Sequence, residues 1–333
     1  MTATHATKKS PLVVTDLVGA PAASQTESLA AMSDARSVQH VLARPLAEVD
    51  AYLDGFVCSL AVPENLRDAI RYALLGGGKR LRPVIAWYAA EAVGGRGEES
   101  LPAGAAVELV HAFSLVHDDL PAMDDDDLRR GRPTLHRAFN EAMAILAGDA
   151  KLTFAFAVLV ERVRRAELST QLVAELATGT AGMIAGQVYD TLGGMDDALP
   201  GEAKLKLIHK NKTGALIRSS ARMGAMLALA AEPEVEVREA RLAHISTYAD
   251  AIGLMFQIVD DILDVTQTTE QLGKKTNKDH SAGKLTYPGV LGLEAANARV
   301  DELLAEALEA ISEFGAAAEP LRLLARYMAV RTK

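Results

Sequence analysis

Two clusters of aspartate, each at the end of a long apolar run, constrain this chain more than any other feature. The runs, residues 107–116 and 249–259, predict buried helices. A buried carboxylate without a counter-charge is costly, and one shared divalent metal would serve both clusters. An all-oxygen ligand set favours Mg2+, above all where the ion also holds substrate phosphates. The carboxylates of the two clusters are Asp118, Asp119, Asp124, Asp260, Asp261 and Asp264.

The composition predicts an all-α protein. Apolar residues make up 49% of the 333 residues and aromatic residues only 5%, a balance that favours helix over sheet. From Pro45 onward apolar residues recur at spacings of three and four, and we see no strand pattern. We therefore expect ten or so helices in one domain, residues 45–333. Residues 1–44 mix Ala, Ser and Thr with both charge signs and predict a mostly disordered extension.

The overall charge and the single cysteine narrow the class of protein. A net charge of -9 argues against nucleic acid as a partner. Cys58 cannot form an internal disulfide and fits a reducing compartment. No run of about 18 apolar residues is free of charge, so we expect no membrane span. The first residues lack the pattern of a secretory signal, and we expect a cytoplasmic protein.

Basic residues fall into two sets that would flank the metal site. The loop GGGKRLRP, residues 76–83, places Lys79, Arg80 and Arg82 beside glycines that let backbone N–H groups approach an anion. Two such sets would bind two phosphate-bearing substrates, and the apolar helices around them would accommodate the hydrocarbon tails of those substrates. One set is Lys79, Arg82, His111 and Arg130, and the other is Arg129, Lys212 and Lys274, with Lys284 as a further candidate.

These motifs resemble the trans-prenyl diphosphate synthases. The matching segments are HDDLPAMDDDDLRRGRPTLH at residues 117–136, GGGKRLRP, and FQIVDDILD at residues 256–264. AGD, GQVYD, KTG and TYP at residues 147–149, 186–190, 212–214 and 286–288 also match. The resemblance implies a single bundle of mostly antiparallel helices around a deep central cavity, and a homodimer.

The resemblance also implies a mechanism, Mg2+-assisted ionisation of an allylic diphosphate. A cluster of about three Mg2+ ions, for which Mn2+ can substitute, would withdraw charge from the leaving diphosphate. Isopentenyl diphosphate would then attack the allylic cation at C1. Asp118, Asp124 and Asp260 would hold the metals, while Asp119, Asp261 and Asp264 would orient metal-bound water.

The other motif residues take roles by the same resemblance. The dipoles of Thr213 and Gln257 would stabilise the cation, and Gln187 with Asp190 would lie beside the metal site. The two basic sets would bind the two diphosphates. The allylic diphosphate would contact Arg129, Lys212 and Lys274, and isopentenyl diphosphate would contact Lys79, Arg82, His111 and Arg130.

Product length should depend on the residues about one turn before Asp118. Phe113 would form a floor under the growing tail, and the small Ser114 would leave room beside it. An aromatic residue here resembles the bacterial-type farnesyl diphosphate synthases, which implies a C15 product. A C20 geranylgeranyl diphosphate synthase is the alternative, since it shares every motif. Asp260 and Asp261 argue against a terpene cyclase, and two intact clusters argue against a regulatory subunit.

Overall fold

A computed structural model describes residues 23–266 and 285–330, with side chains described from residue 41. The all-α prediction is confirmed, and one two-stranded hairpin, β1 (Leu128–Arg129) and β2 (Arg132–Pro133), interrupts the helices. The helices are α1 (Ala23–Ser59), α2 (Glu64–Leu74), α3 (Leu81–Ala92), α4 (Leu101–Asp118), α5 (Leu135–Ala138), α6 (Glu141–Arg162), α7 (Ala166–Thr191), α8 (Gly201–His209), α9 (Ala215–Ala228), α10 (Val235–Thr266), α11 (Tyr287–Leu291), α12 (Leu293–Ala310) and α13 (Glu319–Val330).

Helix α1 extends further toward the N-terminus than the sequence predicts. It begins at Ala23, so residues 23–44 of the predicted disordered extension are helical, while residues 1–22 lie outside the described residues. Pro45 lies inside this helix and has no N–H to donate to the carbonyl of Val41. The hydroxyl of Tyr88 on α3 donates to that carbonyl instead. A side chain from a neighbouring helix thus satisfies the acceptor that proline leaves open.

Two apolar cores hold the bundle together. One gathers residues of α3, α9, α10, α12 and α13 around the fully buried Trp87 and Tyr248. The other gathers residues of α1, α2, α4, α6 and α7. Helices α3 and α9 cross closely, because a Cβ added to Gly224 would lie only 2.0 Å from the carbonyl oxygen of Ala86. The Asp clusters lie at or near the ends of α4 and α10, and each of these helices contributes residues to one of the two cores.

Two helices, α6 and α10, have the length and apolar composition of a membrane-spanning helix. Both pack into the bundle, and 39% of the apolar window of α6 and 61% of that of α10 are buried. The expected absence of a membrane span stays a prediction.

A fully buried lysine crosses the interface between α4 and α6. The side chain of Lys151 is 0% exposed, and its Nζ donates to the carbonyl oxygen of Ala112 at 2.8 Å. Burial lowers the pKa of Lys151 to about 7, although the nearby charge of Asp119 opposes the shift. An amine buried in this way is a cost to the free energy of folding.

We expect the Lys151→Met variant to be more stable than the wild type at pH 7. In the unfolded chain the pKa of the amine is near its ordinary value of 10.5, and in the folded chain the pKa is about 7. Between these values the unfolded state binds more protons, so wild-type stability rises with pH. The advantage of the variant should be a few kcal/mol at pH 7, at about 1.4 kcal/mol per pKa unit, and should shrink toward pH 10.

Guanidinium unfolding of both proteins between pH 7 and pH 10 measures this difference. Lys206→Met, at an exposed position on α8, is the matched control and should change stability little at any pH. An advantage of Lys151→Met that does not depend on pH would contradict the predicted titration.

Candidate active site

The first cluster splits into residues with different surroundings. Helix α4 ends at Asp118, and the turn after it folds back so that the N–H of Asp124 donates to the carbonyl of Asp118 at 2.8 Å. Burial raises the pKa of Asp118 to about 6, and the charge of Asp124 adds to the shift while that of Lys212 opposes it. The two carboxylates therefore lie near each other at the end of α4, as the metal prediction requires.

Asp119 faces the hairpin. It is buried, and the Nη2 of Arg129 lies 2.6 Å from its carboxylate, with the Arg129 Nε donating to both oxygens at 2.8 and 3.0 Å. In the structure Asp119 and Arg129 form an ion pair that attaches the hairpin to the end of α4. The predicted roles of Asp119 in the metal site and of Arg129 on the allylic diphosphate stay predictions.

The second cluster is tied to two neighbouring elements. The Oδ2 of Asp261 lies 3.2 Å from the Nε2 of His209 at the end of α8, and it accepts the backbone N–H of Tyr287 at 2.9 Å. The rings of His209 and Tyr287 stack with centroids 5.6 Å apart. One turn earlier, the Nε2 of Gln257 donates to Asp260 at 3.4 Å. Asp261 therefore ties the second cluster to His209 and Tyr287, and its role behind the metals stays a prediction.

A short π-helical turn, Lys210–Gly214, carries the KTG motif. Its backbone packs tightly on α7, where a Cβ added to Gly186 would lie 2.0 Å from the N of Lys212. The Nζ of Lys212 forms an ion pair with Asp190 at 2.6 Å. Lys212 thus joins Asp190 in an ion pair and lines a common cavity with Gln187 and Thr213, while the predicted roles of these residues stay predictions. Lys274 and Lys284 lie outside the described residues.

The donor set fits Mg2+ that shares its coordination with a substrate. Within residues 41–266 and 285–330, no group of three His, Cys, Asp or Glu side chains could hold a metal ion. Mg2+ is commonly bound by one or two carboxylates together with substrate phosphates, rather than by a cage of protein ligands. Asp118 and Asp124 at one helix end and Asp260 at another supply such partial sets. Shared coordination by both clusters stays a prediction.

A largely apolar cavity of about 570 Å3, which we call the tail cavity, begins at Asp118. Its polar end includes Asp118, Lys212 and Thr213, and the predicted floor residues Phe113 and Ser114 both line it. Gln257 does not belong to its lining. The other lining residues are Arg82, His111, Leu115, His117, Leu120, Met123, Ile145, Met183, Ile184, Gln187, Val188, Thr191 and Leu192.

A second cavity of about 550 Å3, which we call the basic cavity, gathers all four members of the first basic set. Phe256 of α10 and Tyr327 of α13 also line it, and the Nζ of Lys79 lies 6.0 Å from the Tyr327 ring centroid. Arg82 and His111 line both cavities. The two cavities therefore meet at these side chains. The four members of the first basic set that line this cavity are Lys79, Arg82, His111 and Arg130.

The glycines of the GGGKRLRP loop allow an arginine of the hairpin to approach its backbone. Gly77 and Gly78 have φ of 93° and 139°, a region that side chains with a Cβ disfavour. A Cβ added to Gly78 would lie 2.5 Å from the Nη1 of Arg130, and this nitrogen donates to the carbonyl of Gly77. Arg130 is thereby fixed over the loop that carries Lys79 and Arg82.

Electrostatics of the basic cavity favour an anionic ligand. Burial lowers the pKa of His111 well below its usual value, and the nearby charge of Arg82 adds to the shift. Burial also lowers the pKa of Arg82, whose buried Nε has no hydrogen-bond partner among the described residues. His111 is therefore neutral at pH 7. A diphosphate would supply both the missing acceptor and the missing negative charge.

Glu108, an anionic residue that lines this cavity, is not among the residues predicted from the sequence. We predicted Arg80 as part of the anion-binding loop, but its backbone is left-handed, with φ of 47°, and its side chain turns inward. Its Nη1 lies 2.8 Å from Glu108 and its Nε 2.8 Å from Asp50. A lone glutamate within the apolar run of α4 is the signal that could have revealed this buried pair.

Comparisons with known proteins agree with this geometry. A family model described as polyprenyl synthetase matches residues 63–320. The chain is 46% identical over 294 residues to geranylgeranyl pyrophosphate synthase 7, chloroplastic, of Arabidopsis thaliana, covering 85% of this chain and 81% of that protein.

Solved structures share the fold over almost their whole length. An FPP/GFPP synthase of Zymomonas mobilis is 34% identical with a TM-score of 0.73, covering 90% of this chain and 100% of that one. A geranylgeranyl pyrophosphate synthetase of Pyrococcus horikoshii is 27% identical with a TM-score of 0.77, covering 88% and 99%.

We expect Glu108→Gln to lower the free energy of unfolding by roughly 3 kcal/mol, because it leaves the buried guanidinium of Arg80 without its closest buried counter-charge. Urea unfolding measures the loss. Glu302→Gln removes one partner of an exposed ion pair with Arg299 and should cost less than about 1 kcal/mol. Equal losses in the two variants would show that burial of the Arg80 pair does not matter.

Proposed function

The chain belongs to the polyprenyl synthetase family, and we propose that this prenyltransferase joins isopentenyl diphosphate to allylic diphosphates to make the C20 product geranylgeranyl diphosphate. The main support for these two substrates is the arrangement of two cavities. An apolar cavity with a carboxylate at its head and a basic cavity adjoin, and Arg82 and His111 line both. An allylic diphosphate in the first and isopentenyl diphosphate in the second would bring their reacting carbons together at that junction.

Each diphosphate would meet groups of matching charge. The basic cavity offers Lys79, Arg82 and Arg130, and the orphaned Nε of Arg82 would donate to a phosphate oxygen. His111 is neutral, so its contribution is a hydrogen bond. Lys212, now paired with Asp190, lines the tail cavity and would turn to the allylic diphosphate.

Mg2+ would be held by Asp118 and Asp124, with Asp260 of the second cluster, and when bound it would stabilise the charge that develops on the leaving diphosphate. Thr213 is buried at the head of the tail cavity, where its dipole would act on the developing cation without competition from water. The apolar lining beyond it would exclude water from the cation, and so favour attack by the second substrate over hydrolysis.

The relatives support the C20 product over C15. The Arabidopsis relative and the Pyrococcus structure are both described as C20 synthases. Beside Phe113, the tail cavity is lined by apolar side chains of α6 and α7, such as Ile145, Met183 and Ile184. Its 570 Å3 lies within the range of about 300–1,000 Å3 typical of ligand pockets. A C15 product is the second candidate, because Phe113 belongs to the lining as a floor would require.

We also propose a homodimer. Helices α6 and α7 carry large apolar side chains at the surface, among them Leu146, 58% exposed, and Val160, 64% exposed, on α6. Exposed apolar patches commonly mark protein interfaces. A second copy of the chain would cover these residues.

We expect geranylgeraniol as the main product after incubation with Mg2+, isopentenyl diphosphate and dimethylallyl diphosphate, followed by dephosphorylation and chromatography. A chelator should abolish the reaction, because the carboxylates alone would repel the diphosphate. Farnesol as the main product would support the Phe113 floor and the C15 candidate. Folded protein that makes no prenyl product at all would contradict the substrates proposed above.

We expect sedimentation equilibrium to give twice the 35.4 kDa mass of the chain. The double variant Leu146→Glu/Val160→Glu should shift the measured mass toward that of the monomer. Dimerisation would then bury two carboxylates in the proposed apolar interface, which is unfavourable. Thr247→Glu, at an exposed position on α10, is the control. A monomeric wild type would exclude the homodimer.

A further inference from the structure

His117 is fixed against the backbone of α6. Its Nε2 lies 3.2 Å from the carbonyl oxygen of Ile145 and, because a carbonyl only accepts, donates to it. The ring occupies the space that Gly148 leaves open, since a Cβ added to Gly148 would lie 2.0 Å from this Nε2. A hydrogen bond and a close backbone approach therefore define where the imidazole lies.

The same imidazole contacts Phe113, one turn earlier on α4. The ring centroids are 4.9 Å apart and the planes meet at 75°, an edge-to-face arrangement that aromatic pairs favour. Both rings line the tail cavity. Phe113 has two side-chain torsions, and its ring would occupy a different part of the cavity in another rotamer. The contact with His117 favours the rotamer seen in the structure.

We infer that His117 is a positioning residue that holds Phe113 at the side of the tail cavity and thereby sets product length. The inference rests on the proposed prenyl transfer. An aromatic residue one turn before Asp118 would form a floor if its ring lay across the cavity. In the structure, with its ring held by His117, Phe113 lines the cavity together with Met183 and Ile184 of α7. The depth available to a tail then depends on an imidazole that does not itself form the floor.

The first test is His117→Ala, with the product distribution as readout. Without the imidazole the Phe113 ring is free to turn into the cavity, so we expect a shift to the next shorter product. The ratio of shorter to longer product should rise by roughly tenfold, which is typical of one pocket contact. His117→Phe retains an aromatic edge for Phe113 and should restore most of the wild-type distribution.

The second test is the double variant His117→Ala/Phe113→Ala. If His117 acts through the Phe113 ring, the shortening must disappear when that ring is absent, and the double variant should match Phe113→Ala alone. A general disturbance of the neighbouring Asp118 would lower the overall rate and persist in the double variant. The product ratio and the total turnover are therefore recorded separately.

The third test, Gly148→Ala, leaves both aromatic side chains chemically intact. Its added Cβ must displace the His117 ring, so we expect the same shortening as in His117→Ala. Gly55→Ala is the matched control, because an added Cβ there meets no atom within 4 Å.

The outcomes separate this inference from the proposed product. Shortening in His117→Ala and Gly148→Ala that vanishes without Phe113 supports the inference, whichever product the wild type makes. An unchanged distribution, longer products, or shortening that persists in the double variant overturns it. A wild type that makes C15 overturns the C20 proposal alone, and a wild type without prenyl transfer overturns the substrates.

Discussion

The structure depends on the rule that charge buried in a helical bundle must be compensated. Several charges are neutralised by protein partners: Arg80 by Glu108 and Asp50, and Asp119 by Arg129. These pairs join elements that are distant in sequence, and they hold the basic loop and the hairpin in place. The charge of one residue that lines both cavities, Arg82, is compensated less fully. Arg82 retains an unpartnered Nε, and its burial becomes favourable once a diphosphate binds.

The pairing of buried charges explains how two adjacent aspartates of the first cluster can have different roles. Asp118 and Asp119 are adjacent in sequence, yet the end of α4 directs one toward the tail cavity and the other toward Arg129. In the second cluster, Asp261 accepts hydrogen bonds from His209 and Tyr287, and so ties α10 to the elements on either side. The carboxylates that support the site are therefore as necessary to its geometry as those that would bind metal.

The sequence predicted the helical class, the two Asp-rich helix ends and the residues of the basic cavity, because apolar periodicity and motif residues are local properties. It did not predict which charged residues pair. Glu108 lies 28 residues from Arg80, and sequence spacing carries no information about such contacts. Nor did the sequence predict that Lys151 would be buried between α4 and α6. The start of α1 was missed because its Ala-rich, mixed-charge sequence has no apolar stripe, and Pro45 looked like a helix start although Tyr88 satisfies the open carbonyl.

The prediction of product length was also limited by a contact that sequence spacing does not reveal, here a contact of one side chain. The sequence has an aromatic residue, Phe113, about one turn before Asp118, and this residue type alone predicts a floor under the growing tail. The structure adds that the Phe113 ring has a neighbour, His117, whose own position is set by a hydrogen bond to Ile145 and by the missing side chain of Gly148. A residue's effect on cavity depth is a property of its rotamer, and the rotamer is decided by contacts from another helix. The depth of the cavity is therefore set at the interface of α4 and α6.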